Sequence, residues 1–269
     1  MMKKTFAALL TIGTIASALA GPVGPGSRPG TTYAQAPPLL APAAPNIVAS
    51  TTISQWTFET NPPADTTGPT PPPVTADVGS GTATAAHTTG ATHWTTPTGN
   101  GSANSLSADS WNINDYFSFS LSTVGQTGVF VTFSQTSSST GPGSFELQYS
   151  TNGGTTFSSG GTYTVSANSA NWSTSSASFA SSDEFTFNLS SMTALNNNAG
   201  VIFHLRDAAT TAAGGGTVAA GGTSRVDNFF VSSGGPEYPP GFVAVPEPAT
   251  WMLMGVGLLI GVQRLRRKA

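Results

Sequence analysis

The chain has 269 residues, of which 8% are charged, with 31 glycines, 20 prolines and a formal net charge of −3. That length holds one substantial domain with a real core, plus end segments. With no cysteine, a disulfide framework, a thiol nucleophile and a thiolate metal site are all excluded.

The first element in chain order is a leader over residues 1–20. Met1-Met2-Lys3-Lys4 is basic, TFAALLTIGTIAS is apolar, and Ala18-Leu19-Ala20 has the small-x-small order of a cleavage site. These are the three parts of a secretory signal, so the expected partners are the general secretion machinery and signal peptidase. The mature chain is expected to start near Gly21. Residues 21–49 are rich in Pro, Gly and Ala without a period and read as a linker. Between Gly21 and Val245, Arg28, Arg206 and Arg225 face eleven carboxylates, which leaves the exported body at net −8. Such a body is repelled by phosphate backbones, and no basic stripe carries interleaved aromatics, so nucleic-acid binding is disfavoured.

Residues 50–233 carry the folded domain. It opens on TISQWTFE, a strand candidate, and continues through NPPADTTGPTPPP, expected to be an exposed loop. A Thr-, Ala- and Gly-rich stretch then holds His87, His93 and Trp94. The two histidines lack the spacing and the third ligand of a zinc site and are expected at the surface. Gly99-Asn100-Gly101 reads as a turn, because no helix follows that could hold a phosphate.

From DYFSFSLS onward the period is two. Phe117, Phe119 and Leu121 share one face and Ser118 and Ser120 the other, and GVFVTFS, SFELQYS, DEFTFNLS and AGVIFHLRD repeat the pattern. Between two of these runs, Asn152-Gly153 is a strong turn signal. The run from Ser150 to Phe157 resembles the Asp-box hairpin of exported β-proteins, with Asn152 where that motif has Asp and Phe157 where it has Trp. The resemblance implies a turn-stabilising role. RVDNFFVS supplies the last strand. Many short strands, turn chemistry between them and no fixed repeat predict an all-β domain, a jelly-roll-like β-sandwich rather than a barrel or solenoid.

Candidate binding residues are few. Trp94, Trp111 and Trp172, with Tyr116, Tyr149 and Tyr163, either stack on sugar rings or fill the core. Trp94, in a polar stretch, is expected to be the surface one. His204 and Arg206 alternate against Val201, Phe203 and Leu205, so they face away from the core and join Trp94 as candidate glycan contacts. Asp227 either joins a structural calcium site with backbone carbonyls or ties down the last strand's backbone. No paired carboxylates, G-x-S-x-G elbow or phosphate loop is present, so no catalytic residue is nominated and a non-enzymatic body is expected, with an exported hydrolase as the remote alternative.

GGPEYPPGF begins the linker of 234–245, and the chain continues VPEPATWMLMGVGLLIGVQRLRRKA. Its uncharged apolar run, Ala249 to Val262, is fourteen residues. A helix of that length covers about 21 Å against a hydrocarbon core of about 30 Å. Extended to residue 263 the run is a marginal span, with Trp251 at one margin and Arg264, Arg266, Arg267 and Lys268 at the other, which places 264–269 in the cytoplasm. Pro246-Glu247-Pro248 stands immediately outside it, and two prolines keep that site extended and open to a protease.

This order closely resembles the PEP-CTERM sorting signal of exported bacterial proteins. The resemblance implies that 246–269 is recognised by an exosortase, a membrane-embedded cysteine protease or transpeptidase that cleaves near the motif. It further implies a transient single-pass membrane protein that ends at the cell surface or outside, in the company of exopolysaccharide and biofilm matrix. TISQWTFE and SRVDNFFV more loosely resemble the ends of jelly-roll carbohydrate-binding modules, which offers exopolysaccharide recognition as the alternative role.

Overall fold

Strand-forming residues in this chain are small hydroxyls alternating with aromatics and β-branched side chains, so one face of each strand is the more apolar. The computed structural model describes residues 50–238. In chain order the strands are β1 (Thr51–Trp56), β2 (Thr66–Thr67), β3 (Val74–Thr75), β4 (Val78–Gly79), β5 (Gly81–Ala86), β6 (His93–Thr95) and β7 (Leu106–Ala108). There follow β8 (Tyr116–Leu121), β9 (Val129–Ser137), β10 (Ser144–Ser150), β11 (Ser158–Thr164), β12 (Glu184–Asn188), β13 (Val201–Asp207) and β14 (Ser224–Ser233). The only helical pieces among the described residues are single 3₁₀ turns, three of them between Ser169 and Asp183.

The strands form two sheets. One has eight strands, in the order β12-β9-β14-β7-β6-β2 with β1 and β4 alongside; the other has six, in the order β11-β10-β13-β8-β5-β3. Every pairing is antiparallel. The alternation read from the sequence sets their faces: Phe117, Phe119, Phe203, Leu205, Phe145 and Leu147 of the six-stranded sheet are all fully buried. They meet Trp56, Val131, Phe133 and Phe229 of the other sheet. Phe119 and Phe229 stack across the interface at 3.6 Å, and Trp56 stands edge-on to both. This two-sheet packing is an all-β sandwich.

Strand β14 is the organising element. β9 lies along one edge, while the other edge is shared, first by β7 (opposite Ser224–Val226) and then by β1 (opposite Phe229–Ser233). Where the partner changes, the register slips between Asp227 and Phe230 and Asn228 takes a positive φ of 50°. This is a bulge, the local device that lets one strand serve two partners. At the far end of the same strand, Thr51 sits opposite Ser233, so both ends of the domain leave the sandwich side by side.

Several elements depart from the sequence reading. The Pro-rich stretch is not wholly exposed: Pro63 and Pro71 are buried and Thr66–Thr67 pairs with β6. The Thr- and Ala-rich stretch contains β5 and β6 rather than a loop. His87 is buried, not a surface residue, because it continues the inward series Ala83, Ala85, His87. Its ring lies between Trp94 and Trp111, at 4.7 and 4.3 Å. His93 does face solvent, bonded to Asp109 at 2.9 Å.

Candidate functional site

The outer faces of the two sheets have different fates. On the six-stranded sheet, register places outward residues in cross-strand rows: Gln148, His204, Ser118 and Thr84 in one, Ser150, Ile202, Ser120 and Thr82 in the next. A third row runs Glu146, Arg206, Tyr116 and Ala86. No chain segment of the described residues is hydrogen-bonded across these rows in strand fashion, and Thr82, Thr84, Tyr116 and Ser120 keep intermediate exposure. A groove of about 290 Å³ opens at one end of the face, lined by Ser80, Ser120, Ser122, Gly153, Gly200 and Ile202 among others.

His204 and Arg206 both lie on this face, as alternation predicts. His204 is nevertheless 8% exposed, with Tyr116 stacked on one neighbour contact at 3.8 Å and Phe157 at 4.0 Å. Its ring surface is thus engaged by protein, which corrects its expected role as a sugar contact. Burial also lowers its pKa to about 4, so it is neutral at pH 7. Arg206 donates to Glu146 and to Asn114 and remains partly exposed. Tyr116 and Phe157, the two rings stacked on His204, are both partly exposed on this face.

Trp94 is corrected more sharply. It is 1% exposed, its indole Nε1 donates to Gly68 O at 2.8 Å, and it has no open ring face. Its polar neighbours His93 and Thr95 point outward because the three residues form a strand, with Trp94 the inward one. Trp111 and Trp172 are each 5% exposed and also belong to the interior.

On the eight-stranded sheet the outer face is covered. The loop around Asn100 and the segment from Ser166 to Asp183 lie over it and are tied down by side chains. Asp227 is fully buried: its Oδ2 accepts from Asn100 N at 2.8 Å, Ser102 Oγ at 2.6 Å and Asn228 Nδ2 at 3.0 Å, and its Oδ1 from Asn228 N at 2.7 Å. Four donors aim their positive ends at this carboxylate, where a calcium ion would need oxygens. Asp227 is therefore a clamp that fixes the β14 bulge to the Asn100 loop, the second of its two readings, and the calcium expectation is set aside. Among the described residues no group of three or more acids or histidines comes together as a metal site. Burial holds Asp227 up at about 7 and nearby Glu184, whose Oε2 accepts from Ser134, up at about 8.

Asn100 bridges the layers. Its amide pairs with Ala180 through both N and O, and its Nδ2 also reaches Ser134 Oγ at 3.1 Å. Trp172 Nε1 donates to Asp183 at 2.8 Å, and the Arg225 guanidinium lies 4.8 Å from the centre of the Trp172 ring. Sequence reasoning took Gly99-Asn100-Gly101 only as a turn and did not single out Arg225. The hairpin from Ser150 to Phe157 does close through Asn152, whose Oδ1 accepts from Ser150 Oγ and Thr156 N.

The other expected sites, Ala18 and Ala20 in the leader, Pro246, Glu247 and Pro248, and the basic cluster Arg264, Arg266, Arg267 and Lys268, lie outside the described residues. Among the described residues no helix is long and apolar enough to cross a membrane.

Comparison with known proteins finds the family of the PEP-CTERM protein-sorting motif at residues 244–268. The chain therefore carries a PEP-CTERM sorting signal. No curated protein matches it. Among solved structures, the CBM22-1 xylan-binding domain from Paenibacillus barcinonensis Xyn10C aligns with a TM-score of 0.35 and 13% identity, covering 70% of this chain and 98% of that one. TmCBM61 in complex with beta-1,4-galactotriose aligns with a TM-score of 0.26 and 14% identity, covering 65% of this chain and 92% of that one. Similarity this slight transfers neither ligand nor activity.

Proposed function

We propose that this is a non-catalytic surface or extracellular-matrix protein, exported through its leader and processed by an exosortase at Pro246-Glu247-Pro248. The observation that carries the reading is the sorting motif at 244–268. In this scheme the run of about 249–263 is a temporary membrane stop. Arg264, Arg266, Arg267 and Lys268 hold its far end in the cytoplasm. The jelly-roll-like domain of 50–233 is what reaches the surface or the exopolysaccharide. Mass spectrometry of the mature protein tests this. A carboxy terminus near 246–248 is expected in a host with its exosortase, and the full tail in a host lacking it. Retention of Arg264 to Lys268 in both hosts would refute the processing.

A second reading, compatible with the first, makes the open face of the six-stranded sheet a glycan-binding surface. What favours it is the pairing of a partly exposed Tyr116 with rows of hydroxyl and amide side chains and the adjoining groove. A ring face supplies apolar contact to a sugar while hydroxyls exchange hydrogen bonds with it. The mature protein is expected to be retained on its host's exopolysaccharide, and Tyr116→Ala to release it. No retention of the unaltered protein would sink this reading and leave the sorting reading intact.

A further inference from the structure

The covered face holds one buried cation with no counter-charge in contact. Arg225 is 9% exposed. Its Nη2 donates to Ser169 O, and its buried Nε has no hydrogen-bond partner. Among the described residues no carboxylate oxygen lies within 4.0 Å of it. Asp183 and Asp227 act on it only through space. Their oxygens are taken elsewhere, those of Asp183 by Trp172 and Asn168 and those of Asp227 by the Asn100 loop. A guanidinium taken out of water without a contacting carboxylate is costly, and burial holds its pKa below the ordinary value.

Arg225 also lines a cavity of about 270 Å³. The floor of that cavity is a cross-strand row. Arg225 pairs with Ser107 on β7, and Ser107 with Thr95 on β6, so a guanidinium and two hydroxyls face the same side at successive strand spacings. Ser169, Ala170 and Pro97 contribute to the walls. The lining thus combines one fixed cation, several hydroxyls and a little apolar surface.

We propose that this cavity binds a carboxylate carried on a sugar, a uronic acid residue of an acidic polysaccharide. Guanidinium presents planar donors that suit a carboxylate, and an oxyanion against its cavity-facing edge supplies the counter-charge that Arg225 lacks. The hydroxyls of Thr95 and Ser107 match those of the sugar ring, and Pro97 and Ala170 face its C–H bonds. A volume of about 270 Å³ sits just below the usual range of small-molecule pockets, which fits one sugar unit rather than a longer segment. The body's net charge of −8 repels dense polyanions at long range, so the site favours uronic acids spaced by neutral sugars. The site lies on the opposite sheet from Tyr116 and does not depend on the open-face reading.

Calorimetric titration of the mature exported protein tests it with three probes: a glucuronate-containing oligosaccharide, its carboxyl-reduced neutral counterpart, and inorganic phosphate. Only the first is expected to bind. Arg225→Gln should weaken it about 10- to 100-fold, the worth of a hydrogen bond to a charged group. Ala170→Trp, at an exposed position on the wall, should weaken it similarly with Arg225 intact, which separates loss of the site from loss of folding. Equal binding of the neutral sugar, equal or tighter binding of phosphate, absence of uronate binding, or affinity unchanged in Ala170→Trp overturns the proposal.

Discussion

The two outer faces are written in nearly the same alphabet of Ser, Thr and alternating aromatics, yet one is open and the other is roofed. On the six-stranded sheet, Thr84, Ser120 and Gln148 meet the surroundings with uncharged polar groups. On the eight-stranded sheet, Asp227, Asn100, Glu184 and Arg225 sit under a Ser-rich cover, in a polar layer where each group needs a partner. The difference teaches that hydroxyl-rich alternation sets which face is polar but not whether that face stays wet. The covering is decided by a few side chains with many hydrogen bonds.

The largest test of this contrast is Asp227→Ala. It strips four hydrogen bonds and leaves buried donors on Asn100 and Asn228 unsatisfied, at a cost of about 3–5 kcal/mol in urea denaturation. Thr84→Ala on the open face should stay within about 0.5 kcal/mol. Similar losses from the two substitutions would erase the distinction.

Next comes pH. Burial, the first cause in each case, holds Asp207 and Asp227 up at about 7 and Glu184 up at about 8. These carboxyls keep protons in the folded state that the unfolded chain releases near pH 4. Their stabilising contribution is complete below that pH and is lost as pH rises through 7 to 8. Burial holds His87 and His204 down at about 4, so their contribution is present above about 6.5 and lost as pH falls toward 4. The two groups oppose each other between about 4 and 6.5, and only the carboxyls act above it. The denaturation midpoint should therefore fall between pH 6.5 and 8.5, and Asp227→Asn should flatten that fall. A flat profile in the unaltered protein would contradict the raised pKa of these carboxyls.

An effect well below that of Asp227→Ala belongs to His204 on the open face. His204→Ala removes ring contacts with Tyr116 and Phe157 and should cost about 1 kcal/mol in the same denaturation. It should leave the pH dependence above 6.5 unchanged, since His204 is neutral there.

Much of the fold was legible because long strands declare their period. Phe117, Phe119 and Leu121, or Val201, Phe203 and Leu205, mark a buried face by alternation alone. Short strands do not. His93–Thr95 and Leu106–Ala108 have three residues each, and Ser158–Thr164 has Tyr163 as its one large inward side chain. Trp94 was misplaced for that reason: its polar neighbours describe the other face of a strand, not a loop. The inward position of His87 was readable, since GTATAAH sets Ala83, Ala85 and His87 in one series. The clamp on Asp227 was not, because Asn100 lies 127 residues away and nothing local to either residue announces the other.

The side-by-side exit of the chain at Thr51 and Ser233 has a mechanical consequence. The strand that leads toward the tail is β14, an interior strand bonded to β9 along one edge and to β7 and β1 along the other. Tension applied from the carboxy-terminal side of the domain reaches the sandwich first at Ser233. A pull along the strand axis loads both ladders in shear, so their bonds must fail together rather than one after another. The Asp227 clamp then acts as a pin set into the strand that bears the load.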